Sequence, residues 1–342
     1  DAAVSLLIRS ATVADVSSHH PIGPARRSLF TGLVDDAAVF PPGLAPMPKA
    51  VRDHPVYRSA WYSDLIGPLL VPVAQLDAFR QSVSDQNQNV DDATHAGEAR
   101  SPLRISLIAD AKQPDPLPGL LGALTALTEP ASGVPAEVIA VEIAVPKEGD
   151  QLANLRRVID SLDRFLPQGV QAWVEVHRGP DLPEALATIA KAPAHIAGKF
   201  RTGGIEAHLF PSTAELAAVL HRAVEVGVPL KLTAGLHNAV RHTAESTGFT
   251  HHGFANVLAA VAVAHEGGGV DDLDKVLSVT EADPLAEHLR SLDEEGARAV
   301  RSTFVSFGCC GVTDPVDDLV AMGLLDTRRL SEHPHPTAKE SQ

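Results

Sequence analysis

The feature that most constrains this chain is a rhythm. Short apolar runs alternate with longer amphipathic segments over almost its whole length. The apolar runs, read as strands, fall at 32–40 (GLVDDAAVF), 69–73 (LLVPV), 103–109 (LRISLIA), 138–144 (VIAVEIA), 171–176 (QAWVEV), 196–202 (IAGKFRT), 229–235 (PLKLTAG) and 302–308 (STFVSFG). Helix-like segments lie between them near 47–65, 74–84, 116–128, 151–166, 182–191 and 213–226. Ser212 and Glu215 form a capping-box pattern at the start of one helix. Asp314 and Pro315 read as N-cap and first residue of a last helix over 315–324.

Eight strands, each followed by a helix, is the count of a (β/α)8 barrel, and 342 residues suits that fold. Periodicity does not show closure, so a doubly wound sheet is the alternative. The expected organisation is a single barrel over 1–330 with a tail at 331–342. Residues 236–301 are too many for one crossover and predict a helical insertion between strands seven and eight. The polar stretch 82–101 predicts a surface loop, and the first thirty residues a helix or strap across the barrel bottom.

Charge narrows the function classes. A formal net charge of -15 argues against non-specific binding to nucleic acid or anionic membrane. No run approaches the roughly 18 apolar residues of a membrane span, and no signal-peptide pattern opens the sequence. The two cysteines, Cys309 and Cys310, are adjacent and cannot build a disulfide framework. The expectation is a cytoplasmic protein whose partner is a small metabolite.

Polar residues at strand ends carry the chemistry, because barrel active sites sit at the C-terminal ends of the strands. Alternate strand residues share a face, so Lys199 and Arg201 point the same way, as do Lys231 and Thr233. Glu142 lies near the end of strand four, Glu175 and His177 end strand five, and Asp35 or Asp36 adds another acid on strand one. A lone strand-end ion usually closes the barrel rim. Several on adjacent strands cost too much desolvation for that role alone, which favours a catalytic site.

A lysine kept uncharged by a neighbouring cation attacks a carbonyl and forms a Schiff base. Here Lys199 is the candidate nucleophile, with Lys231 and Arg201 as the neighbouring cations and Glu142 or Glu175 as acid/base. Thr202-Gly203-Gly204, with Thr233, Gly235, His177 and His237, would contact an anionic group of the substrate. KFRTGG and LKLTAG resemble the lysine motifs of the deoxyribose-phosphate aldolase family, class I aldolases with a barrel fold. That resemblance implies Lys199 at the Schiff-base position and Lys231 as the second lysine. Arg201 departs from the family's small hydroxyl residue, AGLH from its glycine pair, and Glu142 from its aspartate. More widely, LVDDAAVFPPG, KFRTGG, LTAGLHN, HHGFANVL and FGCCGVTDP resemble a bacterial barrel family of unknown function.

The favoured reading is therefore a lyase of the class I aldolase type, without cofactor, acting on a small phosphorylated or carboxylated carbonyl compound. Two alternatives stay open. His177, His237, His242, His251 and His252, with Glu142 and Glu175, can supply ligands to a divalent metal in a barrel isomerase or hydrolase. Equally, the barrel can bind an anionic metabolite without turnover. At most one of Cys309 and Cys310 should line the pocket, since neighbours on a strand face opposite ways. Anion sites are conceivable at Gly308 and Gly311, and at His251-His252-Gly253 ahead of an apolar helix.

Overall fold

Strands rich in apolar residues on both faces need cover on both, and a sheet closed on itself inside a ring of helices provides it. The structure, a computed structural model, describes residues 25–91, 102–129 and 134–326. The parallel strands β1 (Val34–Asp36), β2 (Ile66–Pro72), β3 (Leu103–Ile108), β4 (Ala136–Ala144), β5 (Gln171–Glu175), β6 (Ile196–Arg201) and β7 (Leu230–Thr233) pair in sequence order. Two short strands, β8 (His242–Thr243) and β9 (Thr250–His251), form an antiparallel ribbon outside the barrel. The last strand, β10 (Phe304–Cys309), then pairs with both β7 and β1 and closes an eight-stranded barrel. Closure decides against the doubly wound alternative.

The helices in chain order are α1 (Met47–Tyr57), α2 (Leu76–Asp91), α3 (Leu117–Thr128), α4 (Gln151–Phe165), α5 (Leu182–Ile189) and α6 (Thr213–Val226). The insertion between β7 and β10 holds the ribbon and then α7 (Phe254–His265), α8 (Val270–Leu277), α9 (Ala282–Ser291) and α10 (Glu294–Thr303). The last helix is α11 (Thr313–Ala321).

Three of the boundaries that differ from expectation have a clear physical reason or consequence. The polar stretch from 82 continues α2 to Asp91, because Phe79 and Val83, four apart, bury one narrow stripe that the polar composition hides. The remainder of that stretch, 92–101, lies outside the described residues, as do most of the N-terminal segment and the tail. The first helix ends at Tyr57, and a short 3-10 turn at Ser63–Leu65 leads directly into β2, three residues earlier than read. Helix α11 starts at Thr313 with Val312 at the N-cap, so Asp314 and Pro315 lie inside its first turn and do not open it.

The apolar interior has two compartments. A large cluster fills the shell between strands and helices. Ala140, Trp173 and Ala197 form a separate, smaller one. Each stands two residues before Glu142, Glu175 and Lys199 respectively, hence on the same face. A tryptophan-centred apolar layer therefore lies directly beneath a charged layer in the barrel.

Helix α7 is buried from Phe254 through Ala264, packed between the rest of the insertion, α6 and β10. Its first amides donate to the carbonyls of Asn238 and Ala239 at 3.1 and 2.9 Å, and a Cβ on Gly253 would lie 2.2 Å from the Ala239 oxygen. No anion can reach that N-terminus. Its role is packing.

The capping box of α6 forms as read: the Glu215 amide donates to Ser212 Oγ at 3.1 Å, and the Ser212 amide to Glu215 Oε2 at 2.7 Å. Ser212→Ala should lower unfolding free energy by about 1 kcal/mol in urea titration, with an unchanged far-UV spectrum.

Candidate functional site

Six ionisable side chains from five strands run across the barrel as one chain of alternating sign. Arg201 Nε donates to Glu175 Oε1 at 3.1 Å, and Glu175 Oε2 lies 3.2 Å from Lys199 Nζ. Lys199 Nζ lies 2.8 Å from Glu142 Oε2, and Lys231 Nζ donates to Glu142 Oε1. Lys231 then reaches Asp35 Oδ2 at 2.5 Å. The strands impose this order through register: Lys199 pairs with Glu175 on one side and with Lys231 on the other. Three cations alternate with three carboxylates, so the chain is neutral as a whole.

Burial is graded along it. Arg201 leaves 43% of its side chain exposed, Lys199 only 7%, and Lys231 only 1%. One end faces the mouth and the other is sealed.

Two serines and a glycine complete the inner end. Ser106 Oγ donates to Glu142 Oε1 and Ser306 Oγ to Asp35 Oδ2, both at 3.0 Å. A Cβ on Gly67 would stand 1.8 Å from Asp35 Oδ1, so only glycine leaves room for that carboxylate. The sequence reading missed all three. Ser106 and Ser306 were legible as hydroxyls in otherwise apolar strand runs. Gly67 was not, because its need arises from a neighbouring strand.

Burial and pairing pull against each other at each charge. Burial pushes the Glu142 carboxyl up, but Lys199 and Lys231 more than reverse this and hold it at about 2. Glu175 behaves likewise: burial raises it, and Lys199 with Arg201 bring it below the ordinary range. Burial alone would lower Lys231, yet Asp35 and Glu142 hold it above the usual lysine value. At Asp35 burial prevails over Lys231, and its carboxyl is raised.

One expectation is corrected here. Lys231 is not a bare cation beside Lys199, because Glu142 stands between the two amines with one oxygen on each. Like charges on adjacent strands are tolerable at this depth only with a carboxylate interposed. Arg201 likewise meets Lys199 through Glu175.

The turns after β6 and β7 pack on each other. Thr202 is buried, and its hydroxyl donates to the Ala234 carbonyl at 2.5 Å. Ala234 and Gly235 both have positive φ, 61° and 83°. A Cβ on Gly203 would lie 2.9 Å from the Gly235 Cα and 2.7 Å from the Phe210 ring, while one on Gly204 would meet Leu209. These small residues allow two loops to touch, and Thr233 sits half-buried beside them.

The histidines disperse. His177 leaves β5 and hydrogen-bonds the Val145 carbonyl at 2.6 Å through Nε2, lining a cavity of about 100 Å³ between the ends of β4 and β5. His242 and His251 stack across the ribbon with ring centroids 5.3 Å apart, and buried His252 bonds the Pro211 carbonyl. His237 lies against both cysteines, 3.4 Å from Cys309 Sγ and 3.8 Å from Cys310 Sγ. Both thiols thus face one ring, against expectation, because β10 ends at Cys309 and Cys310 turns with the loop. Burial raises both thiols, Cys309 most strongly. Among the described residues no three His, Cys, Asp or Glu side chains gather as a metal site. At the last strand end the Asp314 carboxylate occupies the space beside Gly311, so an acid stands where an anion was expected.

Lys231→Met should cost about 3–5 kcal/mol in urea unfolding, since it leaves buried Asp35 without its cation and Glu142 with Lys199 alone. Glu142 sets an acid limb. With its folded value near 2 and an ordinary value of 4.5, its contribution is complete above pH 4.5 and lost as pH falls towards 2. Asp35 has the opposite sign, so Glu142→Gln should flatten the fall in stability measured over that window without removing every pH effect. No family model matches this chain, and comparison with curated proteins finds no match. The functional reading therefore rests on the chain's own geometry.

Proposed function

We propose that the protein is an enzyme acting on a small anionic carbonyl compound at the C-terminal mouth of the barrel, with Lys199 forming an imine in an aldolase or lyase reaction. The observation that carries this reading is the place of Lys199 in the ion chain. It is the outer of the two lysines, it contacts one carboxylate on each side, and one of these is shared with the half-exposed Arg201. A purely structural ion pair gains nothing from such a graded opening. The resemblance of KFRTGG to the Schiff-base motif of deoxyribose-phosphate aldolases supports the same residue.

The proton accounting closes within the ion chain. The Lys199 ammonium passes a proton to Glu175 Oε2, 3.2 Å away, and the free amine attacks the carbonyl carbon. The carbinolamine takes that proton back on its hydroxyl and expels water, leaving an iminium. Its positive charge stands where the ammonium's stood, so Glu142 and Glu175 hold the same balance before and after. Glu175 then takes the proton of the hydroxyl on the departing carbon. The carbon–carbon bond breaks to release that fragment as a carbonyl compound while the iminium accepts the electron pair. Glu175 delivers the same proton to the enamine carbon. Lys231, held charged by Asp35 and Glu142, fixes Glu142 against Lys199.

Reduction with borohydride in the presence of a mixed pool of small carbonyl compounds should add mass to the peptide carrying Lys199, and Lys199→Met should abolish the adduct. A Lys199 peptide of unchanged mass in every pool would remove the imine mechanism.

A further inference from the structure

Arg201 is the one member of the ion chain whose charge is not enclosed. Only its Nε is engaged, by Glu175 Oε1, and among the described residues Nη1 and Nη2 make no hydrogen bond. A guanidinium with its Nη edge open at the mouth of a barrel presents two parallel N–H donors, which match the two oxygens of a carboxylate.

The spacing to Lys199 sets how far that carboxylate stands from the reacting carbon. Lys199 and Arg201 are two residues apart on one strand face, and the single carboxyl group of Glu175 spans them, one oxygen on each. The gap between Arg201 Nε and Lys199 Nζ is thus one carboxylate wide, and the open Nη edge adjoins it. The shortest ligand that can place an anion on Arg201 and a carbonyl carbon on Lys199 Nζ carries charge and carbonyl on adjacent carbons. A phosphate ester interposes at least a carbon and an oxygen between them.

Charge balance points the same way. The chain is neutral, so an incoming anion is accepted only where a cation is open to the mouth, and among the six groups that is Arg201.

We infer that the substrate is a 2-oxo acid, bound by its carboxylate on the Nη edge of Arg201 with its keto carbon on Lys199. This rests on the imine reading above and narrows its substrate class from anionic carbonyl compounds to 2-oxo carboxylates. Arg201 is then a specificity residue that touches substrate, and Glu175 holds it in register with the nucleophile.

The test is borohydride trapping on the full chain with pyruvate, acetaldehyde and glyceraldehyde 3-phosphate in separate arms, read on the Lys199 peptide by mass spectrometry. Pyruvate should label about tenfold or more over acetaldehyde at equal concentration. Arg201→Gln should lower the ratio of pyruvate to acetaldehyde labelling towards one. A second arm needs no variant: oxamate, an unreactive 2-oxo carboxylate isostere, should slow pyruvate labelling, and inorganic phosphate at the same concentration should not. Equal labelling by pyruvate and acetaldehyde, preference for the phosphate ester, or protection by phosphate and not oxamate overturns the 2-oxo acid assignment and leaves the Lys199 imine standing. No adduct in any arm overturns the imine reading, and this assignment with it.

Discussion

The structure depends on the neutralisation of charge inside a closed barrel. Removing an ion from water costs several kcal/mol even after the protein relaxes, and mutual attraction recovers this only where geometry is good. Five strands deliver six charges to one layer, and the only arrangement that avoids a contact between like charges is alternation. Arg201, Glu175, Lys199, Glu142, Lys231 and Asp35 follow it in that order. The lesser residues answer the same need. Gly67 clears space for Asp35, and Ser106 and Ser306 supply hydrogen bonds to the inner carboxylates.

Polarity along the barrel axis makes this network a candidate site. Trp173, Ala140 and Ala197 form an apolar layer beneath the charges of β4, β5 and β6. Above it, tight contact between the β6 and β7 turns at Gly203 and Gly235 fixes the loops around Arg201. Rigid elements on both sides hold the lysine–carboxylate geometry, as the proposed imine chemistry would require.

The insertion between β7 and β10 is a packing device. Its central helix α7 is enclosed on every side, with its first amides satisfied by the Asn238 and Ala239 carbonyls. The histidines around it serve local tasks: stacking in the ribbon, bonding to Pro211, or contacting the thiols of Cys309 and Cys310. Among the described residues no helix is long and apolar enough to span a membrane.

The alternation of apolar runs with amphipathic segments determined the class of fold, because buried strands and half-buried helices carry different hydrophobic periods. The two-residue period of a strand likewise put Lys199 and Arg201 on one face, and Lys231 and Glu142 in the same sector. Local signals served where interactions are local, as at the Ser212–Glu215 capping box. They failed where a partner lies far along the chain: the buried stripe of α2, the start of α11, the turn that brings Cys310 to His237, and Gly67 beneath Asp35. Tertiary structure alone decided which charge stands next to which. Residue types announced a cluster of lysines and glutamates, but strand register interposed Glu142 between the two amines. That single placement turned a pair of repelling cations into a neutral chain that opens at Arg201, because in a medium of low dielectric the identity of the nearest neighbour outweighs the composition of the cluster.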